Sequence, residues 1–517
     1  MKIVKSLNIP FNDAIDYNDP DKIEEFVRQY NVTSAVNKLD QPNTYFVIGE
    51  KGTGKTAITL YYVTNNNHGR KQKFIPLSET FYQRFIYLKK NGKIGYTDYS
   101  TIWRCLVMAN HARVIYENAN FILRKLMPKY RRIRKAIKYF DLNSTKPEVE
   151  IQFEYIEKII EKGGINYQSV VSGESNYEKS ATKKTTDIQR PFEEIETKLR
   201  RSLERCRYDS QVNLFFDGID AKPVDVETKD YHDCLRELAV AARQLNTEIY
   251  KKMKKHLSKF RVILLLRPDI FVELGIYNST SVVIDNSVLL NWDTSIRNYK
   301  SSDLFTTIDK YFYSQNQDDK KYGWDAYFAR QTGSRRDIVF IELLDRSLQR
   351  PRDYFTAIKY LIMKYKNDER PLARFNVNDV IGNTEFLKNF SLYLLGEVQN
   401  YANFYMSNED FEEYRQFFKY LPDPIFFTPL QYQVAYTKFK KDADQSRIVN
   451  KDLYRTPKKL LQFFYDVNVI GYRELTRGGY NHHFAYRDRN IYNVYPRVKT
   501  EKVEYMVFKG IRRALEL

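Results

Sequence analysis

Cysteine is scarce: Cys105, Cys206 and Cys234 are the only three, far apart and without a CxxC pair, so neither a disulfide framework nor a cysteine zinc site is expected. Histidine is nearly as rare, at six. No two histidines have metal-ligand spacing, and the adjacent His482 and His483 read as the tip of a turn. No uninterrupted apolar run approaches the roughly 20 residues that cross a bilayer. The opening stretch MKIVKSLNIPFNDAIDY lacks the apolar core of a signal peptide. A soluble protein of a reducing cytoplasm, with no membrane partner, is the expectation. Acidic residues are also in deficit, 65 against 84 Lys and Arg, for a net charge of +19. That balance favours a polyanionic partner such as nucleic acid and leaves the fold open. No nuclease, protease or deaminase constellation is visible.

What is present begins with size. At 517 residues, 43% of them hydrophobic, the chain has material for three or four units with cores of their own. Aromatic residues reach 15%, with 42 tyrosines, which suits stacking on bases and suits ordinary core packing equally well.

One stretch carries chemistry directly: FVIGEKGTGKTAITLYYV, residues 46–63. A short β-type run ends at Gly49, and a helical pattern resumes at Ala57. Between them the spacing Gly49-x-x-x-x-Gly54-Lys55-Thr56 is that of a phosphate-binding loop. Its glycines let the backbone curl so that successive N–H groups face phosphate oxygens, and the loop feeds the positive end of a helix. Gly49, Glu50, Lys51, Gly52, Thr53, Gly54, Lys55, Thr56 and Ala57 are therefore the candidate nucleotide contacts. Lys55 is placed to reach the β- and γ-phosphates, and the Thr56 hydroxyl to ligate Mg²⁺. The tract Asn37-Lys38-Leu39-Asp40 has the NKxD form by which GTPases read guanine, but it precedes the loop instead of following it. ATP is the expected nucleotide.

A magnesium site needs an acid at the end of a buried strand. Asp217 closes Val212–Phe216 in QVNLFFDGID and fits that role. The next position, where many ring-forming ATPases carry Glu, is Gly218. Asp220 is the nearest acid for orienting an attacking water, which points to slow turnover suited to a switch. Arg267 ends the strand in FRVILLLRPDIF, where it can sense the γ-phosphate. In Arg350-Pro351-Arg352-Asp353, Arg352 is chosen over Arg350 as an arginine that folds onto the nucleotide.

Short apolar strands at 45–48, 71–78, 211–220, 260–271 and 281–286 alternate with helical stretches, at 21–40, Phe81–Lys90 and Tyr99 to about Asn118 among others. That alternation predicts an α/β parallel sheet with its ligand at the strands' carboxyl ends. Residues 121–140 are intensely basic, and 141–195 read as a polar insertion. The expected domains are 1–290 for the nucleotide, 291–420 as a helical lid, and 421–517. The last has helices at 429–442 and 456–467, then YREL, RGGYNHH and FAYRDR as strand, turn and strand, and a closing helix near 509–516. This is the outline of a winged helix-turn-helix.

Taken together, GEKGTGKT, FFDGID, LLLRPDIF, RPRD, LLQFFYDVNVIGY and the closing KGIRRALEL resemble a bacterial family of P-loop ATPases. That family is related to the STAND- and KAP-like members of the AAA+ group, with a layout similar to initiator ATPases of the ORC/Cdc type. The resemblance implies an ATP-controlled molecular switch with a helical lid, of a kind often encoded in prokaryotic anti-phage defence. Double-stranded DNA is a candidate partner through Arg455, Lys458, Lys459, Arg473, Arg477, Arg487 and Arg489, and through the basic helix 122–138. Leu460, Leu461, Phe463 and Phe464 are expected in the core. An effector protein and an ATP-dependent homo-oligomer are the other partners considered, and an ATP-stabilised scaffold is the alternative to a switch.

Overall fold

A computed structural model describes the chain except for residues 18, 66–68, 78–97, 145–185, 207, 209, 220–225, 254–259, 277–278, 329–337, 367 and 404. The expected helix Phe81–Lys90 and most of the polar insertion lie outside the described residues. Two compact units emerge: Val32–Leu290, and Met1–Asn31 together with Asn291–Leu517.

The first unit is α/β. Its five strands are β1 (Phe46–Gly49), β2 (Lys71–Pro76), β3 (Val212–Asp217), β4 (Phe260–Leu266) and β5 (Ser287–Leu290), in the order β2-β3-β4-β1-β5, with every adjacent pair parallel. Every residue of β1, β3 and β4 is buried, as continuous apolar runs must be when helices cover both faces of a sheet. Phe216, Leu264 and Phe46 share one row, so the carboxyl ends of β3, β4 and β1 lie at a common edge.

Two expectations change. SVVIDN (281–286) was expected as a strand; it belongs to the helix Ser279–Asn286, and the strand is the SVLL that follows. The expected single helix over 21–40 is two, Pro20–Gln29 capped by Asp19 and Ser34–Lys38 capped by Thr33. The NKxD-like tract is spent on structure. Lys38 Nζ donates to the Ile284 carbonyl at 2.7 Å, and Asp40 pairs with Arg70 and accepts from the Tyr62 hydroxyl. Arg261, buried in β4, donates to the Leu39, Gln41 and Thr44 carbonyls and to Asn213. Burial pushes its guanidinium down to about 10.

In the second unit, helices Asp303–Ser314, Ile338–Arg346, Pro351–Tyr365 and Thr384–Ala402 pack around Trp324, Phe340, Tyr354 and Leu394. Val4 and Leu7 join the same core, and Val4 N–H donates to the Leu372 carbonyl at 2.9 Å. This packing is why Met1–Asn31 groups here instead of with the following strands as expected. The short strand β6 (Phe426–Phe427) comes next, then helices Pro429–Ala443 and Pro457–Asp466, then β7 (Ile470–Thr476), β8 (Gly479–His483) and β9 (Glu504–Val507), the four strands forming an antiparallel sheet ordered β6-β9-β7-β8. The returning strand is GYNHH; FAYRDR, expected as that strand, contains the short helix Ala485–Asp488. The chain closes on a 3₁₀ turn, Arg512–Leu515, instead of a longer helix. One core runs from the helices of 291–420 through the C-terminal sheet, so 291–420 and 421–517 share their packing.

Candidate nucleotide site

The site grows out of β1. Past Gly49 the backbone turns through Gly52 and Gly54, both at positive φ, 82° and 93°, into the helix Lys55–Thr64. Thr53 folds back inside the curl, its Oγ1 donating to the Glu50 carbonyl at 2.7 Å. A side chain at Gly49 would have its Cβ 2.5 Å from Thr53 Oγ1 and 2.9 Å from Leu290 Cβ, so the tight curl requires glycine there. Gly54 occupies the N-cap position and brings no side-chain oxygen to the first turn. The positive end of the helix dipole is thus left to the loop.

Lys55, 7% exposed, donates from Nζ to the Gly49 carbonyl at 2.9 Å and the Glu50 carbonyl at 3.2 Å. Thr56 Oγ1 donates to Asp217 Oδ2 at 2.5 Å, and the Gly218 N–H donates to Asp217 Oδ1 at 2.8 Å. The loop and the strand-end acid, far apart in sequence, therefore meet. A hydroxyl beside one carboxylate suits Mg²⁺, which keeps several waters and takes its remaining oxygens from substrate phosphates. Among the described residues no group of three or more His, Cys, Asp and Glu could hold a metal alone, so at this site the protein would supply only part of a coordination shell.

Gly218 explains its own departure from the Glu of ring ATPases. Its φ is +78°, and a Cβ there would lie 2.3 Å from the Leu77 carbonyl oxygen, at the end of β2. Only glycine fits. Gly218→Ala is expected to cost about 2 kcal/mol or more of stability, read as a lower denaturation midpoint; an unchanged midpoint would contradict this contact.

The two remaining arginine candidates are engaged in internal pairs. Asp220 lies outside the described residues. Arg267 stands at the carboxyl end of β4 but is buried and forked onto Asp269, two residues on, with Nε to Oδ1 at 3.0 Å. Arg352 belongs to the second unit, where its Nε donates to the Asn12 carbonyl at 3.1 Å and its other nitrogens approach Asp13 and Glu397. Arg350, passed over in the sequence, is the more deeply held of the pair. It bonds Asp353 at 2.6 Å and Glu397 at 3.0 Å, while Tyr393 OH donates to the same Asp353 at 3.0 Å. Burial alone would push the Arg350 guanidinium down, but Asp353, Tyr393 and Glu397 together hold it above its ordinary value. Glu397 and Tyr393 had no signal in the sequence beyond helical spacing.

The C-terminal cations are also partly committed. Lys459 pairs with Asp452; Arg473 pairs with Glu504 between the rings of Phe426 and Tyr480; and Arg489 donates to the Val494 and Asp466 carbonyls. Arg487 lies over the Tyr486 ring. Arg455, Lys458 and Arg477 are exposed. In the helix Pro457–Asp466, Leu460, Leu461, Phe463, Phe464 and Tyr465 are all buried, and Gln462 is bonded to Pro496 and Val498. Only its first turn, with Lys458 and Lys459, faces solvent. His483 stacks on Tyr472 and approaches Asp488, which makes it part of the hairpin's packing. Among the described residues no helix is long and apolar enough to cross a membrane.

No protein-family model, curated protein or solved structure matches the chain.

Proposed function

We propose that the protein is an ATP-binding, slowly hydrolysing molecular switch. The observation that carries this reading is the 2.5 Å contact between Thr56 and Asp217, made beside a glycine curl and the uncapped start of a helix. Backbone N–H groups of residues 52–57 would receive the phosphates, and Lys55 would exchange its two carbonyl partners for phosphate oxygens. Thr56 and Asp217 would hold Mg²⁺, which when bound supplies charge neutralisation at the phosphates. ATP is favoured over GTP because the NKxD-like tract is engaged in structural bonds through Lys38 and Asp40. Glycine at 218 leaves no carboxylate next to Asp217, which supports slow turnover, with Asp220 as the residue proposed to orient water.

On this reading the helices of 291–420 act as the lid, and the two helices and hairpin after Thr428 as a winged helix. The anti-phage role implied by the family resemblance is part of the same proposal. DNA contact is a second reading, supported by exposed Arg455, Lys458 and Arg477. Because most of the helix Pro457–Asp466 faces its own core, that contact would be to phosphates through its first turn and the hairpin tip, with affinity falling steeply as salt rises.

Asp217→Asn tests the metal half of the site. Ligand that binds only the folded state raises the melting temperature. ATP with Mg²⁺ should therefore stabilise the wild type more than ATP with EDTA, and the variant should lose that increment while keeping the metal-free one. An unchanged Mg²⁺ increment in the variant would refute the assignment of Asp217.

A further inference from the structure

Between β2 and β3 the helix Phe121–Leu126 buries none of its residues. Phe121 and Leu126 are 65% and 68% exposed, and Ile122, Leu123 and Met127 are exposed as well. Five large apolar side chains left in water within seven consecutive residues mark a docking surface. The helix is firmly presented: Asn120 caps it, accepting from Ile122 N–H at 3.0 Å, and Arg124 Nε ties back to the Ala119 carbonyl at 2.7 Å.

The distribution of these side chains points to the partner. At 3.6 residues per turn, positions 121, 122, 123 and 126 spread round much of the circumference instead of forming one stripe. A protein groove takes one stripe of a helix. Hydrocarbon contacts a helix on every side it enters. The charge pattern agrees, because between Glu117 and Asp141 there are eight Lys and Arg and no Asp or Glu. In the adjoining helix Pro128–Ser144, Tyr130, Ile133, Ala136 and Phe140 are buried, while Arg131, Arg132, Arg134, Lys135 and Lys138 are exposed.

We infer that this surface is a peripheral contact with an anionic lipid bilayer, the apolar side chains wedging into the acyl boundary and the cations meeting headgroup phosphates and carboxylates. A wedge plus a basic face supplies the two signals that stable attachment needs. At six residues the helix is about 9 Å long, so it enters one leaflet only. A second copy on the same patch would set cations against cations. Nucleic acid would engage the cations and leave the apolar side chains in water.

The test is co-sedimentation of the full chain with vesicles of phosphatidylcholine alone and of phosphatidylcholine with phosphatidylserine. The chain should pellet with the anionic vesicles. Phe121→Ser combined with Leu126→Ser should lower that partitioning by at least about tenfold without moving the thermal midpoint, since both side chains are exposed. Arg131→Glu with Arg134→Glu should remove the preference for phosphatidylserine. A wild-type chain that stays in the supernatant with both vesicles overturns the inference. So does a serine double variant that binds like the wild type, which would leave a purely electrostatic patch suited to nucleic acid.

Discussion

Lys55→Ala is expected to weaken binding of Mg-ATP by roughly a hundredfold, since a charge-assisted bond to phosphate is worth about 1.5–3 kcal/mol and 1.4 kcal/mol is a factor of ten. In the structure the ammonium is within 3.2 Å of two loop carbonyls, Gly49 and Glu50. The alanine variant therefore loses internal bonds too, and its ligand-free melting temperature should fall modestly. Titration calorimetry on the folded variant separates the two effects. A loss of affinity with little loss of ligand-free stability fits the account. Unchanged affinity would mean that the ammonium serves only to brace the curl, and turnover at the wild-type rate would carry the same message.

The second large effect is on stability and lies away from the loop. Arg350→Leu leaves Asp353, fully buried, and Glu397, nearly so, without their shared cation. Removing one partner of a buried ion pair costs about 3–5 kcal/mol, which in a unit of this size lowers the melting temperature by roughly 10 °C. The carboxylates keep some partners, because Asp353 also accepts from Leu348 N–H at 2.9 Å and from Tyr393. Arg352→Ala removes a side chain that is 20% exposed, with longer contacts to Glu397 and Asp13, and about 1 kcal/mol is the expected scale for such a pair. Differential scanning fluorimetry distinguishes the two variants. Equal shifts would show that the Arg350 network is not the brace described here.

The contrast between these two arginines shows what the sequence could and could not convey. Spacing alone pointed to the glycine curl, because Gly49, Gly54, Lys55 and Thr56 satisfy a local geometric demand. It also singled out Asp217 as a candidate, because a buried run ending in an acid is a local pattern. That the two meet across 161 residues follows from the parallel order of the sheet and the shared edge of β1 and β3. The continuous apolar runs of β3 and β4 announced that sheet. Side-chain partners at longer range were not legible: nothing local says that Arg350 faces Glu397, or that Arg267 spends its fork on Asp269 across the first turn of the helix starting at Pro268.

Two misreadings have identifiable causes. SVVIDN is β-branched, yet Ile284 is exposed and Ser287 opens the strand that pairs with β1, so composition pointed to strand where register chose helix. In the hairpin, Thr476 pairs with Gly479, leaving only Arg477 and Gly478 as the loop. A two-residue loop ending in glycine is the commonest tight hairpin connection. Treating all of RGGYNHH as turn displaced the returning strand into FAYRDR, which is instead held in a short helix after Phe484.

The central claim is that the curl from Gly49 to Ala57 and the acid at Asp217 form one Mg-ATP site. Hydrogen exchange of the full chain, with and without Mg-ATP, tests it most directly. The account predicts slowed exchange in peptides covering residues 49–57 and 212–218. Slowing confined to other segments, or none in these two at saturating nucleotide, would contradict it.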